Sequence, residues 1–427
     1  MDILQQLEKS ENIVMQTDYN VLKYSGKVIV DLTYKEGQKI VFFPSDGQLS
    51  VEYASKNNLL RKKDENGDNI GGYMDPEKRN ITAIKLRGEK SEGLILPIET
   101  LSEYTDISKL KDGDQITVLG GHEICCKYIP RQKQGNYPPN KKQKKKEEEI
   151  LYPFFEEHKD TSQLAYNMDA FKEGDIIYIT RKLHGTSGRT ANTLRKARKR
   201  RNLFQKIFRI IPKIKTERCV VSGSRRTVLK ESKTSGYYSD NSFRWKYHEL
   251  LKDKMPEGME IFYEIVGYVN DNTPIMPSVS NKKVKDKAFT KKFGEKTTFS
   301  YGCELGESEM YVYRMTMTST DGTVVELPWE IVEIWCEKLG IKHVPDLEKF
   351  IFTTPEDLRK RVDKYITGMP ADEIGKTHIA EGVVVRIDNR ETFTAFKDKC
   401  FEFKVIESII KDDSIVPDME EAQEMEV

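Results

Sequence analysis

One lysine of this chain stands where a strand-like segment gives way to a glycine turn. Lys182 precedes Gly185 at Lys-x-x-Gly spacing, and residues 174–180 before it are rich in β-branched and aromatic residues, which favour strands. Glycine has no Cβ, so the backbone there can come close to a ligand. A lysine attacks phosphorus or carbon only as the free amine, which requires cations, a metal or desolvation to lower its usual pKa of ~10.4. Because this spacing is common, the evidence for a nucleophile must come from other segments.

Carboxylates and cations that such a nucleophile needs occur on later strand-like segments. Glu264 lies in the middle of the apolar run 260–267, where a charge needs a reason. Glu381 opens another apolar run. The cations are two adjacent arginines and two lysines that share one strand face by alternation, namely Arg225, Arg226, Lys397 and Lys399. A lysine, two carboxylates and these cations suit metal-assisted attack on a nucleotide α-phosphate.

The order of these motifs resembles that of the covalent nucleotidyltransferases, which include ATP-dependent DNA and RNA ligases and mRNA capping enzymes. The order is Lys-x-x-Gly, Ser-Arg, Tyr-Glu-x-x-Gly, Glu-Gly-Val-Val-Val-Arg and a Lys-x-Lys strand. The sequence Lys-Leu-His-Gly-Thr-Ser at Lys182 is closer to phage RNA ligases than to the Lys-Tyr-Asp-Gly of DNA ligases. Over nearly the whole chain the likeness is greatest to the RNA ligase 5 family, in which an OB-type domain precedes the nucleotidyltransferase domain.

This resemblance implies an α+β fold. It predicts an N-terminal OB-like β-barrel over residues 1–130, a charged linker over 131–151, and a nucleotidyltransferase domain over 152–427 with antiparallel sheets and flanking helices. A basic insertion is expected near residues 193–215. After Lys404 only 23 of the 427 residues remain, too few for the OB barrel that DNA ligases and capping enzymes carry at this end. The short tail therefore favours the RNA ligase 5 interpretation.

The resemblance also implies an activity and a set of roles. The chain is expected to be an ATP-dependent RNA ligase that uses Mg²⁺ or Mn²⁺ and joins RNA 3′-hydroxyl and 5′-phosphate ends, possible substrates including a nicked duplex. Lys182 is the expected nucleophile and Glu381 the expected metal ligand through water. The expected nucleotide contacts are Gly185, Arg225 (toward a nucleotide or RNA phosphate), Glu264 (toward the ribose hydroxyls), Lys397 and Lys399 (toward the α-phosphate). The candidate RNA contacts are Arg87, Lys90, Arg189 and Arg226.

One residue departs from the family pattern, and two other functions stay open. Many relatives have Asp two residues after the lysine, where it helps hold the water shell of the metal, but His184 stands there in this chain. A GTP-dependent capping guanylyltransferase would use the same chemistry and would differ in the nucleotide that labels the protein. A catalytically inactive RNA-binding relative is the alternative from another class, although every motif position that the chemistry needs is occupied.

The elements that must position these residues follow from local patterns. Five strand-like runs in the first part fit a small barrel, at residues 27–33, 39–43, 81–86, 93–96 and 115–119. This module is either a scaffold or an RNA contact through Arg87 and Lys90, which flank Gly88. Apolar spacing predicts a helix over 329–339, and Thr354 with Pro355 predicts another over 355–368.

Charge and composition set further limits. The chain has 70 Lys and Arg against 69 Asp and Glu, so any RNA-binding surface must arise from local clustering. The basic run 195–201, followed by an apolar face over 203–211, is either a solvated hairpin or helix or an RNA-phosphate contact. Six cysteines without Cys-x-x-Cys spacing indicate neither a zinc site nor a disulfide framework. With no membrane span and no secretory segment, a soluble intracellular monomer is expected, cytoplasmic or encoded by a virus.

Overall fold

Short strands and six α-helices make up most of the ordered elements in the part of the chain that the structure describes. The structure is a computed structural model and describes residues 15–21, 24–30, 33–67, 70–86, 88–128, 148–156, 158–199, 214–225, 227–229 and 242–413. The helices within these residues are α1 Val51–Lys56, α2 Ser242–Leu251, α3 Lys287–Phe293, α4 Trp329–Leu339, α5 Pro355–Ile366 and α6 Phe401–Asp413. Arg87, Arg226, nearly all of the charged linker and the expected helical face at 203–211 lie outside the described residues.

The chain divides into two units. The first comprises Met1–Arg131, Gln163–Phe171 and Asp398–Ser414, and the second comprises Gln132–Ser162, Lys172–Lys397 and Ile415–Val427. The segment that contains α6 is therefore grouped with the N-terminal part of the chain. The continuous boundaries expected from the sequence stay a prediction.

The first unit is built from short antiparallel strand pairs. Its strands are β1 Met15–Val21, β2 Tyr24–Val30, β3 Ile40–Pro44, β4 Gly47–Leu49, β5 Ile84–Leu86, β6 Glu89–Ser91, β7 Gly93–Pro97, β8 Val118–Leu119, β9 His122–Glu123 and β10 Cys125–Lys127. They pair as β1 with β2, β3 with β7, β4 with β10, β5 with β6 and β8 with β9. Each of the five predicted runs overlaps a strand. The pairs do not close into a barrel within the described residues, so the expected OB fold is not confirmed.

Helix α1 and its neighbours form the core of the first unit. The Ser50 hydroxyl caps α1 by accepting the Tyr53 amide proton at 3.1 Å, which satisfies one of the amides left over at a helix start. The Tyr53 ring is fully buried against Phe43 and Tyr104. Apolar residues from several strands and turns thus share one cluster around a short helix that the sequence patterns did not predict.

A large antiparallel sheet dominates the second unit. Its strands are β11 Glu148–Leu151, β14 Thr186–Lys199, β15 Ile214–Gly223, β16 Met259–Asn270, β17 Thr273–Pro274, β20 Ser308–Thr318, β21 Val324–Glu326 and β22 Lys342–His343. The main order is β11-β14-β16-β20-β21, with β15 beside β14, β17 beside β16 and β22 beside β20. A separate two-stranded pair joins β18 Val279–Ser280 to β19 Lys296–Thr297. Strand β16 is buried along almost its whole length, as its apolar sequence predicts.

A five-stranded sheet carries the predicted nucleophile. Its strands are β12 Ser162–Gln163, β13 Ile176–Lys182, β23 Asp346–Ile351, β24 Gly382–Ile387 and β25 Ala395–Lys399. The order is β12-β25-β24-β13-β23, so β13 lies between two partners. Ile177 and Ile179 on β13 are fully buried. A central strand of this kind is a rigid support for a residue at its end.

Both predicted helices of the second unit are confirmed. Helix α4 ends before Gly340, whose φ of 68° is the left-handed conformation that glycine tolerates after a helix end. Helix α5 begins after Thr354, whose hydroxyl accepts the Asp357 amide proton at 3.2 Å. Cys336 is buried in the apolar face of α4. Of the helices in the described part of the chain, none is both long and apolar enough to cross a membrane.

Candidate active site

The turn that follows β13 positions Lys182. Residues 183–185 carry the chain from the five-stranded sheet into β14 of the large sheet. Because side chains alternate along a strand, Arg181 and Lys182 point to opposite faces. The buried Arg181 guanidinium binds both carboxylate oxygens of Glu373, at 2.6 and 2.5 Å, and donates to the Gly382 carbonyl at 2.9 Å. Arg181 thereby fixes the end of β13 and leaves Lys182 on the other face.

The Lys182 amine contacts the carboxylate that was predicted to bind metal. In the antiparallel pair of β13 and β24, Lys182 lies opposite Gly382, so Glu381 is brought beside it. Lys182 Nζ is 3.0 Å from Glu381 Oε1, and the lysine side chain keeps 19% of its surface exposed while that of Glu381 keeps 1%. His184 Nδ1 lies 3.9 Å from Glu381 Oε2. The structure thus brings the expected nucleophile and the expected metal ligand into one cluster. His184, which stands where many relatives have Asp, belongs to the same cluster.

Gly185 and Glu264 are also brought together. The pairing of β14 with β16 places Glu264 opposite Ser187, and Glu264 Oε1 accepts the Gly185 amide proton at 3.0 Å. A Cβ on Gly185 would lie 2.3 Å from the Ile265 carbonyl oxygen. The missing Cβ of Gly185 therefore lets the turn pack closely against β16. The sequence had suggested that it would let a ligand come close to the backbone.

Two side chains that the sequence patterns did not single out hold the same turn. The Tyr301 hydroxyl accepts the His184 amide proton at 2.6 Å. Arg244 on α2 is buried and donates to the Ser187 carbonyl at 2.8 Å and to Thr186 Oγ1 at 2.5 Å. Arg244 shares a buried helical face with residues 243, 247, 248 and 251. An arginine on such a face could have been recognised in the sequence as a residue with a specific buried partner. Tyr301 has no comparable signal, because it lies outside regular elements.

Two of the predicted phosphate or RNA contacts, Arg225 and Arg189, bind other groups of the protein near the end of β15. The nearly buried Arg225 guanidinium forms an ion pair with Asp160. Arg189, predicted as an RNA contact, is buried and donates to the Ser224 carbonyl at 2.9 Å. It also donates to the Glu156 carbonyl, and its guanidinium lies 3.8 Å from the centre of the Phe155 ring. These contacts favour a structural role for Arg189.

The remaining predicted cations lie on several elements. Lys399 donates to both carboxylate oxygens of Glu407 on α6, each at 2.9 Å. Lys397 lies two residues earlier on β25, on the same face of the strand. Lys90 in the first unit is 2.8 Å from the Glu402 carboxylate. Lys90 and Lys399 thus each have an acidic partner on α6.

The donors beside Lys182 fit a hard divalent cation. Glu381 and Glu264 supply carboxylate oxygens, which Mg²⁺ and Mn²⁺ prefer, and both flank the same turn. Elsewhere in the second unit, ligand atoms of Glu333, His343 and Asp346 lie within 4.8 Å of one another. That second group has no ligand spacing in the sequence, because its members come from α4, β22 and β23.

Comparison with known proteins identifies related sequences and folds. Residues 175–406, more than half of the chain, match a family model described as RNA ligase. A structure of a Naegleria gruberi RNA ligase variant with ATP and Mn is 16% identical and covers 95% of this chain and 94% of its own, with a TM-score of 0.52. Another variant of that ligase, with AMP and Mn, is 16% identical and covers 91% and 96%, with a TM-score of 0.51. No curated protein matches by sequence.

Proposed function

We propose that this chain, which belongs to the RNA ligase family, is an ATP-dependent RNA ligase of the RNA ligase 5 type. It joins a 3′-hydroxyl to a 5′-phosphate through a lysyl-AMP and an adenylylated RNA. The observation that carries this proposal is the contact of Lys182 with Glu381, at the end of a central strand within the matched segment. The Naegleria gruberi ligase structures with ATP or AMP and Mn support the choice of nucleotide and metal.

The first step belongs to Lys182. Its amine attacks the α-phosphorus of ATP, a nitrogen-phosphorus bond forms, the bond to the leaving oxygen breaks, and pyrophosphate departs. In the structure the amine is paired with Glu381 at 3.0 Å, so it becomes available once that carboxylate binds another cation and the amine has given up its proton to water. Glu381 would hold Mg²⁺ or Mn²⁺ through water, and Glu264, which accepts the Gly185 amide proton, is assigned to the ribose hydroxyls of ATP. When bound, such an ion neutralises negative charge on the phosphate oxygens.

The later steps need cations that bind phosphate. AMP passes from Lys182 to the 5′-phosphate of RNA, and a 3′-hydroxyl then attacks that phosphate and expels AMP. Arg225 is assigned to a nucleotide or RNA phosphate, and Lys397 with Lys399 to the α-phosphate. Because Arg225 and Lys399 hold Asp160 and Glu407 in the structure, each exchanges a carboxylate for a phosphate when substrate binds.

Residues 1–130 are assigned to the RNA-joining steps, because all nucleotide motifs lie from Lys182 onward. The basic run 195–201 is assigned to RNA phosphates, and the described part of it lies on β14 beside β15. The proposed substrate is RNA with a 3′-hydroxyl end and a 5′-phosphate end, and a nicked duplex would present both ends together.

The decisive experiment is to incubate the protein with ATP or GTP labelled at the α-phosphate and a divalent metal. A single AMP should attach to Lys182, stable to base and labile to acid as a phosphoramide is, and Lys182→Ala should take up none. Lys182→Ala should still seal RNA that carries a 5′-adenylate, because that substrate bypasses the nucleophile. Lys349→Ala is the matched control, since Lys349 also pairs with a glutamate but on the surface.

Peptide mapping by mass spectrometry decides the assignment. AMP on Lys397, Lys399 or Lys404, or on no lysine, would contradict it. Labelling by GTP in preference to ATP would favour the capping activity. Binding of RNA without any labelling would favour the inactive relative.

A further inference from the structure

The turn after Lys182 leaves two consecutive amides without strand partners. Strand β13 ends in one sheet and β14 begins in another, so the amides of His184 and Gly185 between them lie outside both ladders. Side chains from elsewhere accept these protons: the Tyr301 hydroxyl at 2.6 Å and Glu264 Oε1 at 3.0 Å. Buried amides need such acceptors, because a lost hydrogen bond there is not replaced by water. The path of this turn, which sets the direction of Lys182, thus depends on two side chains.

The backbone of Tyr301 is held in a conformation that bulky residues avoid. Its φ is 51°, in the left-handed region, and Gly302 follows with a φ of 76°. A Cβ on Gly375 would lie 2.5 Å from the Gly302 nitrogen and 2.7 Å from the Tyr301 carbonyl carbon. Gly375 thus packs directly on this backbone. A tyrosine that adopts an unfavourable φ under tight packing indicates that its position is needed.

Aromatic rings connect Tyr301 back to the turn on a second path. The His378 ring meets the Tyr301 ring at 4.5 Å and the Phe299 ring at 5.1 Å, both edge to face. Phe299 in turn meets the His184 ring at 4.7 Å and 78°. His184 is therefore held at its amide by Tyr301 and at its ring by Phe299. The histidine that replaces the family aspartate is a member of this aromatic group.

A short hairpin that contains Asp372 and His378 supports this aromatic group. The buried Asp372 accepts the amide protons of Ile374 and Gly375 at 2.6 and 3.2 Å, and its own amide donates to the His378 carbonyl at 3.0 Å. Glu381 follows this hairpin three residues after His378. Burial raises the pKa of the Tyr301 hydroxyl well above its usual value, so the hydroxyl stays protonated and neutral under working conditions.

We propose that Tyr301 is a positioning residue for Lys182: its hydroxyl oxygen holds the His184 amide, and the ring contacts of Phe299 and His378 hold Tyr301. This inference rests on the proposed function, in which Lys182 takes up AMP. Tyr301 acts before and during the attack on ATP and has no part in the sealing of RNA that is already adenylylated. His184 then serves to fix the turn through both its amide and its ring.

The test compares Tyr301→Phe with Tyr247→Phe. Tyr301→Phe removes only the acceptor of the His184 amide and should slow lysyl-AMP formation about 10- to 100-fold at saturating ATP, the range expected when a buried amide loses its acceptor. The ATP concentration for half-maximal rate and the sealing of adenylylated RNA should not change. Tyr247 is an equally buried tyrosine whose hydroxyl lies 3.0 Å from Ser308 Oγ, so Tyr247→Phe controls for the loss of a buried hydroxyl.

Gly375→Ala provides a second, independent change, because it displaces the Tyr301 backbone while keeping the hydroxyl. It should slow lysyl-AMP formation in the same way. A wild-type rate in Tyr301→Phe, or an equal loss in the sealing of adenylylated RNA, would overturn the positioning role and leave the proposed function standing. If the wild-type protein forms no lysyl-AMP, the proposed function fails, and amide hydrogen exchange of residues 183–186 decides the inference. Faster exchange in Tyr301→Phe than in Tyr247→Phe supports it, and equal exchange overturns it.

Discussion

The amine of Lys182 and the carboxylate of Glu381 are held 3.0 Å apart by the register of two antiparallel strands. Neither residue depends on a flexible loop for this contact, since Lys182 ends β13 and Glu381 immediately precedes β24. A residue proposed to attack and a residue proposed to bind metal therefore neutralise each other in the structure. Under the proposed function, metal binding by Glu381 would therefore be coupled to release of the Lys182 amine.

Replacement of Glu381 should abolish this coupling. Glu381→Ala is expected to lower metal-dependent lysyl-AMP formation about 100-fold or more, because the anchor of the metal is lost. The measurement is the initial rate of AMP uptake over a titration with Mg²⁺ and Mn²⁺, with folding checked by thermal melting. Glu330→Ala removes an exposed carboxylate that also pairs with a lysine, and it should leave the rate unchanged. Wild-type rates for Glu381→Ala at low metal would contradict the assignment.

Glutamine and alanine at position 264 should differ. Glu264→Gln keeps an oxygen that can accept the Gly185 amide proton, whereas Glu264→Ala leaves that amide without its acceptor. We expect Glu264→Ala to slow lysyl-AMP formation about 10-fold or more relative to Glu264→Gln. Single-turnover rates at saturating ATP provide the comparison. Equal rates for the two variants would show that the contact with Gly185 does not set the reactive geometry.

Removal of the Asp160 charge should favour phosphate binding by Arg225. The ion pair must break before Arg225 can bind an anion, so Asp160→Asn lowers the free energy of that exchange. The expected result is a several-fold decrease in the Kd of the phosphate-bearing substrate, ATP or 5′-phosphorylated RNA, measured by titration calorimetry with each. Asp321→Asn, in an exposed turn, is the control for the loss of one negative charge. Unchanged affinity for both substrates would argue against a phosphate at Arg225.

The stability of the protein should depend on the protonation of Glu260. Burial raises the pKa of this carboxyl to about 8, and the opposing effect of Arg189, 3.7 Å away, is smaller. The unfolded chain loses this proton near pH 4.5 and the folded chain near pH 8, so the free energy of unfolding falls as pH rises between these values.

Glu260→Gln carries no such proton and should escape this loss. The free energy of unfolding of Glu260→Gln minus that of the wild-type protein should increase between pH 5 and 8 by on the order of a few kcal/mol. Urea denaturation at several pH values measures the difference, with Glu304→Gln as an exposed control. An advantage that is constant with pH would mean that Glu260 is ionised throughout.

Local sequence patterns were sufficient to predict the elements that carry the site. Alternating or continuous apolar runs predicted β13, β16 and β24, because burial of a strand requires them. Apolar periodicity and end signals predicted α4 and α5, because helix termini need specific caps. The order of Lys182, Glu264 and Glu381 on these elements was therefore visible in the sequence, and it carried the resemblance to RNA ligases.

Contacts between distant segments were decided only by the tertiary structure. The register of β13 with β24 brings Glu381 to Lys182, and no local pattern sets a register between strands so far apart in the chain. Arg189 was predicted as an RNA contact, but it is buried, since alternation along β14 gives two faces and does not say which is inward. The five predicted strands of the first unit exist, yet their pairing does not close into the expected barrel in the described residues. No local sequence pattern could predict the role of Tyr301, because Tyr301 contacts a turn between two sheets. That contact is set by packing between residues that lie far apart in the sequence.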